Sequence, residues 1–310
     1  MKINLANIKK AQKLLNKREC VAIPTETVYG LAANAYSDKA CKKIYKIKKR
    51  PKNNPLIVHY LNIQILKKDC NFNNDFIKLY KKFCPGPITF ILRLKKKSKI
   101  SKFITGKNKT VAVRFPKHLL FRKLLKNLDY PLAAPSANIS TRLSAVMASD
   151  VYEEFGLNIK YILDGGKCKI GVESTIINLI NKPTILRLGG LDVSKIGKVL
   201  NKKILIKTKS KIKIAPGQLP LHYSPGIPLR MNAKKSKKNE AYILIKNRKI
   251  DFKNYYYLSK NKNLKQAARN LYSLLRKVKN DGYKMIAVEK IPNFGIGKTI
   301  NDRLKRASNF

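Results

Sequence analysis

Through the first 200 residues, short apolar runs of strand length alternate with amphipathic stretches of helical period, and this alternation limits the fold more than any other feature of the chain. The spacing predicts helices over 5–17, 38–48, 75–83, 117–127, 149–155 and 192–200. Strands are expected at 20–23, 56–60, 89–94, 111–114, 131–134, 161–163, 174–179 and 184–188. Asp38 stands where the second helix needs a cap, and Pro85-Gly86-Pro87 stops the third. Elements that alternate in this way bury their apolar faces as layers. The reading is therefore an α/β domain over 1–200, with a twisted mixed sheet and flanking helices.

From about residue 201 the texture changes. The segment 215–228 is too rich in Pro and Gly to form an element, yet too apolar and aromatic for a solvated tether, so 201–237 reads as a linker lying over another surface. Beyond it, strands at 241–245, 255–258 and 285–288 and helices at 263–279 and 299–307 predict a small second α/β domain over 238–310. A chain of 310 residues, 44% hydrophobic, has the material for two such cores.

Charge and cysteine content narrow the function classes. The net charge of +51 suits anionic partners and weak, salt-sensitive RNA contacts. Residues 1–200 carry 40 basic and 12 acidic residues, and 201–310 carry 28 and 5, so the excess is +28 and +23. Charge spread over both parts reads as a compositional bias toward Lys, Asn and Ile rather than as one nucleic-acid-binding face. Five scattered cysteines (Cys20, Cys41, Cys70, Cys84 and Cys168) with no C-x-x-C pair point to reduced thiols. With three histidines in all, no metal site held by the protein alone is expected. The longest stretch free of charged side chains, 214–229, holds four prolines and cannot be a membrane helix. A cytoplasmic protein without a membrane anchor is expected.

Three segments carry the chemistry. Pro24 to Leu31 sets two threonine hydroxyls, a carboxylate and a glycine in a turn after a strand, suited to a small zwitterion or to ordinary turn capping. Lys48 and Arg50 flank one residue before Pro51. In an extended backbone both cations would face one phosphate chain, and the bland alternative is a solvated helix end. Pro135 to Ser140 offers Ser136 and Asn138 as neutral donors, with Ser144 beyond, for a nucleotide or for capping. His59 taken alone reads as a core residue. Arg114 and Arg187 each close a strand, and the scarcity of nearby acid favours an exogenous anion for both. No nucleophile elbow, Walker loop or dinucleotide fingerprint is present, so catalysis has to rest on positioning and charge stabilisation.

These blocks in this order resemble the Sua5/YrdC/YwlC family of L-threonylcarbamoyladenylate synthases, in its two-domain form. The resemblance covers P-T-E-T-V-Y-G-L, K-x-R-P with N-P-L-I-V-H, P-G-P-x-T, V-A-V-R, A-P-S-A-N-x-S, D-G-G and E-S-T. It extends to P-G-Q-x(4)-H-Y-S-P and to I-N-D-R-L-K-R-A at 300–307. It implies a YrdC-like catalytic sheet, a small Rossmann-like C-terminal domain, and adenylation of N-carboxythreonine made from L-threonine and bicarbonate. ATP would bring Mg²⁺, and a separate tRNA threonylcarbamoyltransferase would use the product for t6A at tRNA position 37. On the same resemblance Thr27, His59, Arg114 and Ser174 surround threonine. Lys48, Arg50, Asn54, Thr110, Ser136, Asn138, Ser144 and Arg187 surround ATP, with Lys48, Arg50, Ser136 and Asn138 closest to the chemistry. His222, Tyr223 and Ser224 would fold over the nucleotide as a lid.

The chain departs from the family pattern at Thr141, often Gly, at Ala145-Val146, usually Pro-Thr, and at Leu188, often Pro. Two other readings compete. A non-enzymatic RNA-binding module would have no need of Lys48, Arg50, Ser136 and Asn138 together. A carbamoyl-transfer enzyme of hydrogenase maturation would carry zinc-finger cysteine pairs, which this chain lacks.

Overall fold

The alternation resolves into two sheets in a computed structural model that describes residues 4–106, 108–208, 222–250 and 252–308. The first unit opens with α1 Leu5–Asn16, β1 Val21–Ile23, β2 Gly30–Asn34, α2 Asp38–Ile47, β3 Ile57–His59, α3 Ile63–Asp69 and β4 Cys70–Asn71. It continues with α4 Asn74–Phe83, β5 Ile88–Leu94, α5 Lys102–Thr105, β6 Thr110–Arg114, α6 Leu119–Lys126 and β7 Leu132–Ala133. It ends with α7 Ala148–Phe155, β8 Thr175–Asn178, β9 Thr184–Arg187, α8 Val193–Leu200 and β10 Leu205–Ile206. The strand order is β1-β2-β7-β3-β6-β5-β8-β9-β10, with β4 added beside β5. The pairs β3·β6, β5·β8 and β9·β10 are parallel and the others antiparallel, so the sheet is mixed, as the alternation predicted.

The second unit holds β11 Leu229–Arg230, β12 Glu240–Leu244, β13 Tyr255–Tyr257, α9 Leu264–Asn280, β14 Met285–Val288 and α10 Gly297–Ala307. Its four strands are parallel in the order β11-β14-β12-β13, with α9 as the crossover from β13 to β14. One apolar core runs through both units, from Val58, Phe90 and Val172 to Leu271, Leu275, Ile300 and Leu304. Each such side chain contributes roughly 1.5–3 kcal/mol by its burial, so the two sheets are stabilised together. Gly171 allows the close approach of the two units, and Gly189 allows one within the first. A side chain on Gly171, whose φ is +79°, would lie 2.5 Å from the Arg269 backbone of α9. One on Gly189 would lie 2.3 Å from the Ser174–Thr175 peptide.

Local detail differs from expectation at a few places. Ser37, not Asp38, caps α2: its backbone is extended and its Oγ accepts the Ala40 N–H, which leaves Asp38 in the first turn facing the helix dipole. Residues 161–163 form a single bridge, Ala22 to Ile162, instead of a strand. β2 begins at Gly30, so Pro24 to Tyr29 is the loop of a hairpin whose arms pair Ile23 with Gly30. Within 201–237, β10 extends the first sheet and β11 the second, while 209–221, the proline-rich part of the expected lid, lies outside the described residues.

Candidate active site

Strand ends and loops of the first unit converge on one cavity. Arg50 follows α2, His59 closes β3, Arg114 closes β6, Ser136 follows β7, Glu173 precedes β8 and Arg187 closes β9. Thr25, Tyr29 and Gly30 of the hairpin complete the wall, and His222 and Tyr223 lie across it. The enclosed space is about 40 Å³. That is room for about three waters.

Its cations are held by defined oxygens. Arg114 pairs with Glu26 at 2.7 Å, both buried, and the second Glu26 oxygen accepts the Lys117 N–H. Arg50 donates to Asn54 O at 3.0 Å, Asn54 Oδ1 at 2.6 Å and Pro55 O at 2.9 Å. Arg187 donates through Nε and NH2 to Ser174 O. The premise that acid is scarce around Arg114 and Arg187 is corrected here. Glu26 is the direct partner of Arg114, and Glu173 interacts electrostatically with Arg187. Folding brings these carboxylates across long sequence separations, so average composition does not predict them.

The Lys48–Arg50 reading is corrected too. Lys48 is the αR C-cap of α2 and Lys49 has φ +48°, so the stretch is a helix exit, not an extended pair. Lys48 is buried and turns its Nζ to Ser136 O at 2.6 Å and to Asn138 O, tying down the S-x-N loop. Burial, then Arg50, lowers its pKa well below the ordinary lysine range.

Two imidazoles are neutral by burial. Desolvation, and then Arg114, lowers His59 well below its ordinary value, and among the described residues neither ring nitrogen makes a hydrogen bond of normal geometry. His222 falls to about 3, chiefly through burial. Burial alone would raise Glu173, but Arg303, then Arg187 and the Ser144 hydroxyl, outweigh it and bring the carboxyl down to about 2.

Of the residues named from sequence, Arg50, His59, Arg114, Ser136, Arg187, His222 and Tyr223 line the cavity together. Others lie behind it. Thr27 bonds Thr25 Oγ1, Ser174 bonds Thr89 Oγ1, and Ser144 donates to Glu173 at 2.6 Å. Asn54 braces Arg50, and Asn138 donates to Ile139 O and Arg142 O. Ser224 pairs with Thr141 and Arg142 next to the S-x-N loop. Thr110 opens β6 while Arg114 closes it, a strand length of roughly 13 Å apart. Sequence reasoning missed Tyr29, whose hydroxyl meets Asp164 and Gly166, and it missed Tyr272 and Arg303 of the second unit. Arg303 stands in the I-N-D-R block, the one available signal.

Comparison with known proteins agrees with this geometry. Residues 13–189 match the Sua5_yciO_yrdC model, described as telomere recombination, and 191–309 match the threonylcarbamoyl-AMP synthase C-terminal domain. The threonylcarbamoyl-AMP synthase of Pyrococcus abyssi is 35% identical over 98% of this chain and 94% of its own length. That of Bacillus subtilis is 34% identical over the same shares. A crystal structure of P. abyssi Sua5 complexed with L-threonine superimposes with a TM-score of 0.92 at 34% identity, covering 100% of this chain and 96% of that one. The chain belongs to the Sua5/YrdC/YwlC family, in its two-domain form.

Proposed function

We infer that this chain makes threonylcarbamoyl-AMP from L-threonine, bicarbonate and ATP, releasing pyrophosphate. One observation carries the reading: three buried arginines, Arg50, Arg114 and Arg187, share a small cavity with a neutral His59 whose ring nitrogens make no hydrogen bond of normal geometry among the described residues. Cations set in a dry site stabilise charge that develops at phosphorus, and neutral ring nitrogens suit a small polar substrate. The threonine amine adds to bicarbonate carbon with loss of water. A carbamate oxygen then attacks the α-phosphorus, and the bond to the bridging oxygen breaks as pyrophosphate leaves. This makes the protein a nucleotidyltransferase.

On this reading L-threonine meets His59 and Arg114, with Thr27 and Ser174 supporting the wall. The triphosphate lies along Arg50 and Arg187, with Asn54, Thr110, Ser136 and Ser144 on its side and His222 to Ser224 covering it. Lys48 and Asn138 shape the S-x-N loop. On this reading Mg²⁺ enters as part of the ATP substrate. The product then passes to a tRNA threonylcarbamoyltransferase, and the +51 charge supports weak contact with its tRNA. No helix among the described residues is long and apolar enough to cross a membrane, and the proposed place of action is the cytoplasm. The organisation we propose is a catalytic domain over 1–200 to which β10 adds, a linker within 201–237, and a C-terminal domain over 238–310 to which β11 adds.

The test is to incubate the protein with ATP, Mg²⁺, bicarbonate and single amino acids, and to measure pyrophosphate and the adenylate. Pyrophosphate and adenylate formation that requires both threonine and bicarbonate is expected. Pyrophosphate release indifferent to either would sink the assignment.

A further inference from the structure

Behind the cavity wall, two buried residues of the second unit reach the groups that line it. Arg303 on α10 is 1% exposed. Its Nε donates to Glu173 Oε2 at 2.9 Å, its NH2 to Leu188 O at 2.7 Å, and its NH1 to the Asp302 carboxylate. Its guanidinium carbon lies 4.6 Å from the centre of the Tyr223 ring. Tyr272 on α9 stacks on that ring with centroids 5.8 Å apart and planes at 19°. The Tyr272 hydroxyl lies 3.1 Å from both Glu173 oxygens. Glu173 in turn accepts from Ser144 at 2.6 Å.

Desolvating a guanidinium costs several kcal/mol, so packing two helices against a sheet is better served by an apolar side chain. What an arginine adds here is direction: its planar fork holds a carboxylate and a carbonyl while its face holds an aromatic ring. We propose that Arg303 is a positioning residue, the contact through which the second unit holds Tyr223 across the cavity and fixes Glu173 against Ser144. Both targets lie on the side we assign to the nucleotide, next to Arg187. His59 and Arg114, on the threonine side, make no hydrogen bond with Arg303. Loss of Arg303 therefore weakens the use of ATP and spares that of threonine.

This inference rests on the adenylate-forming reading, so its first readout does not use the reaction. The chain has no tryptophan, and Tyr223→Trp places a single tryptophan, excited selectively at the red edge beyond the tyrosines, on the ring that Arg303 faces. In that background Arg303→Ala is expected to shift the emission to the red and to raise acrylamide quenching about twofold, with Arg303→Lys between it and the parent, because a lysine keeps the charge but not the fork. In the chain with Tyr223 intact, Arg303→Ala raises KM for ATP about tenfold and leaves KM for threonine within about twofold, as loss of one buried cation–π and ion-pair contact would. If Arg303→Ala does not fold, Tyr272→Phe removes only the hydroxyl to Glu173 and gives a smaller rise confined to ATP. Unchanged quenching in Arg303→Ala, or an equal rise in KM for both substrates in whichever variant folds, would overturn the proposal. A chain that makes no adenylate at all would sink the function, and the quenching would still decide the contact.

Discussion

The two units contribute to the cavity in different ways. The first unit supplies side chains that face it: Arg50, His59, Arg114, Ser136 and Arg187 stand at strand ends and loop starts, with their polar atoms turned inward or held just behind. The second unit supplies Tyr272 and Arg303, which face the cavity's wall and stop there. The difference separates groups that contact a substrate from groups that hold the contacting ones. It also explains why a core shared between the sheets matters, since a rigid connection is what allows a residue on α10 to define where a ring over the site lies.

The largest expected effect tests the facing side. Arg50→Ala should lower kcat by about 10²–10³-fold, the range for removing one donor aimed at transition-state charge. Circular dichroism and the melting temperature check that the fold survives. Retained turnover would place the phosphate site elsewhere and dissolve the contrast between the units.

Next in size is the carboxylate where the units meet. Glu173→Gln keeps the shape but leaves Arg303 and Arg187 without their shared counter-charge, so stability should fall by about 3–5 kcal/mol, as when a buried pair is broken. Denaturant titration measures it, and one cooperative transition is expected because both sheets share a core. A loss below about 1 kcal/mol would mean that Glu173 is not the joint between them.

A third test varies pH. The Glu173 carboxyl is lowered from its ordinary 4.5 to about 2, so its stabilisation is whole above pH 4.5 and is lost as pH falls toward 2. His222 is lowered from 6.5 to about 3, so the unfolded chain takes up its proton first, and stability declines as pH drops from 6.5 toward 3. Melting temperatures from pH 7 to 3 should show the upper limb shrink in His222→Gln and the lower limb shrink in Glu173→Gln. If both variants track the parent, these two groups do not govern acid stability.

Much of the fold was legible in advance. α1, α4, β5, β6, α9 and β14 fall within one or two residues of their expected bounds, because each has a clear period and a breaker or cap at its ends. β2 was hidden because Pro24 to Tyr29 reads as a turn and nothing in Ala32-Ala33-Asn34 alternates. The site was legible as a set of motifs and much less so as a set of contacts. Lys48 illustrates the limit. Its spacing from Arg50 suggested two cations facing one ligand, yet the residue buries its charge against the carbonyls of Ser136 and Asn138.

The order of the motifs, the α/β alternation and the family were thus determined by the sequence alone, since periodicity and local turn chemistry act over a few residues. Which arginine meets which carboxylate, and that Arg303 and Tyr272 reach Tyr223 and Glu173, was decided only by the tertiary structure. Such partners lie far apart in the chain, as Arg114 and Glu26 or Arg303 and Glu173 do. Their strength comes from a buried, low-dielectric setting that exists only after the two sheets have packed.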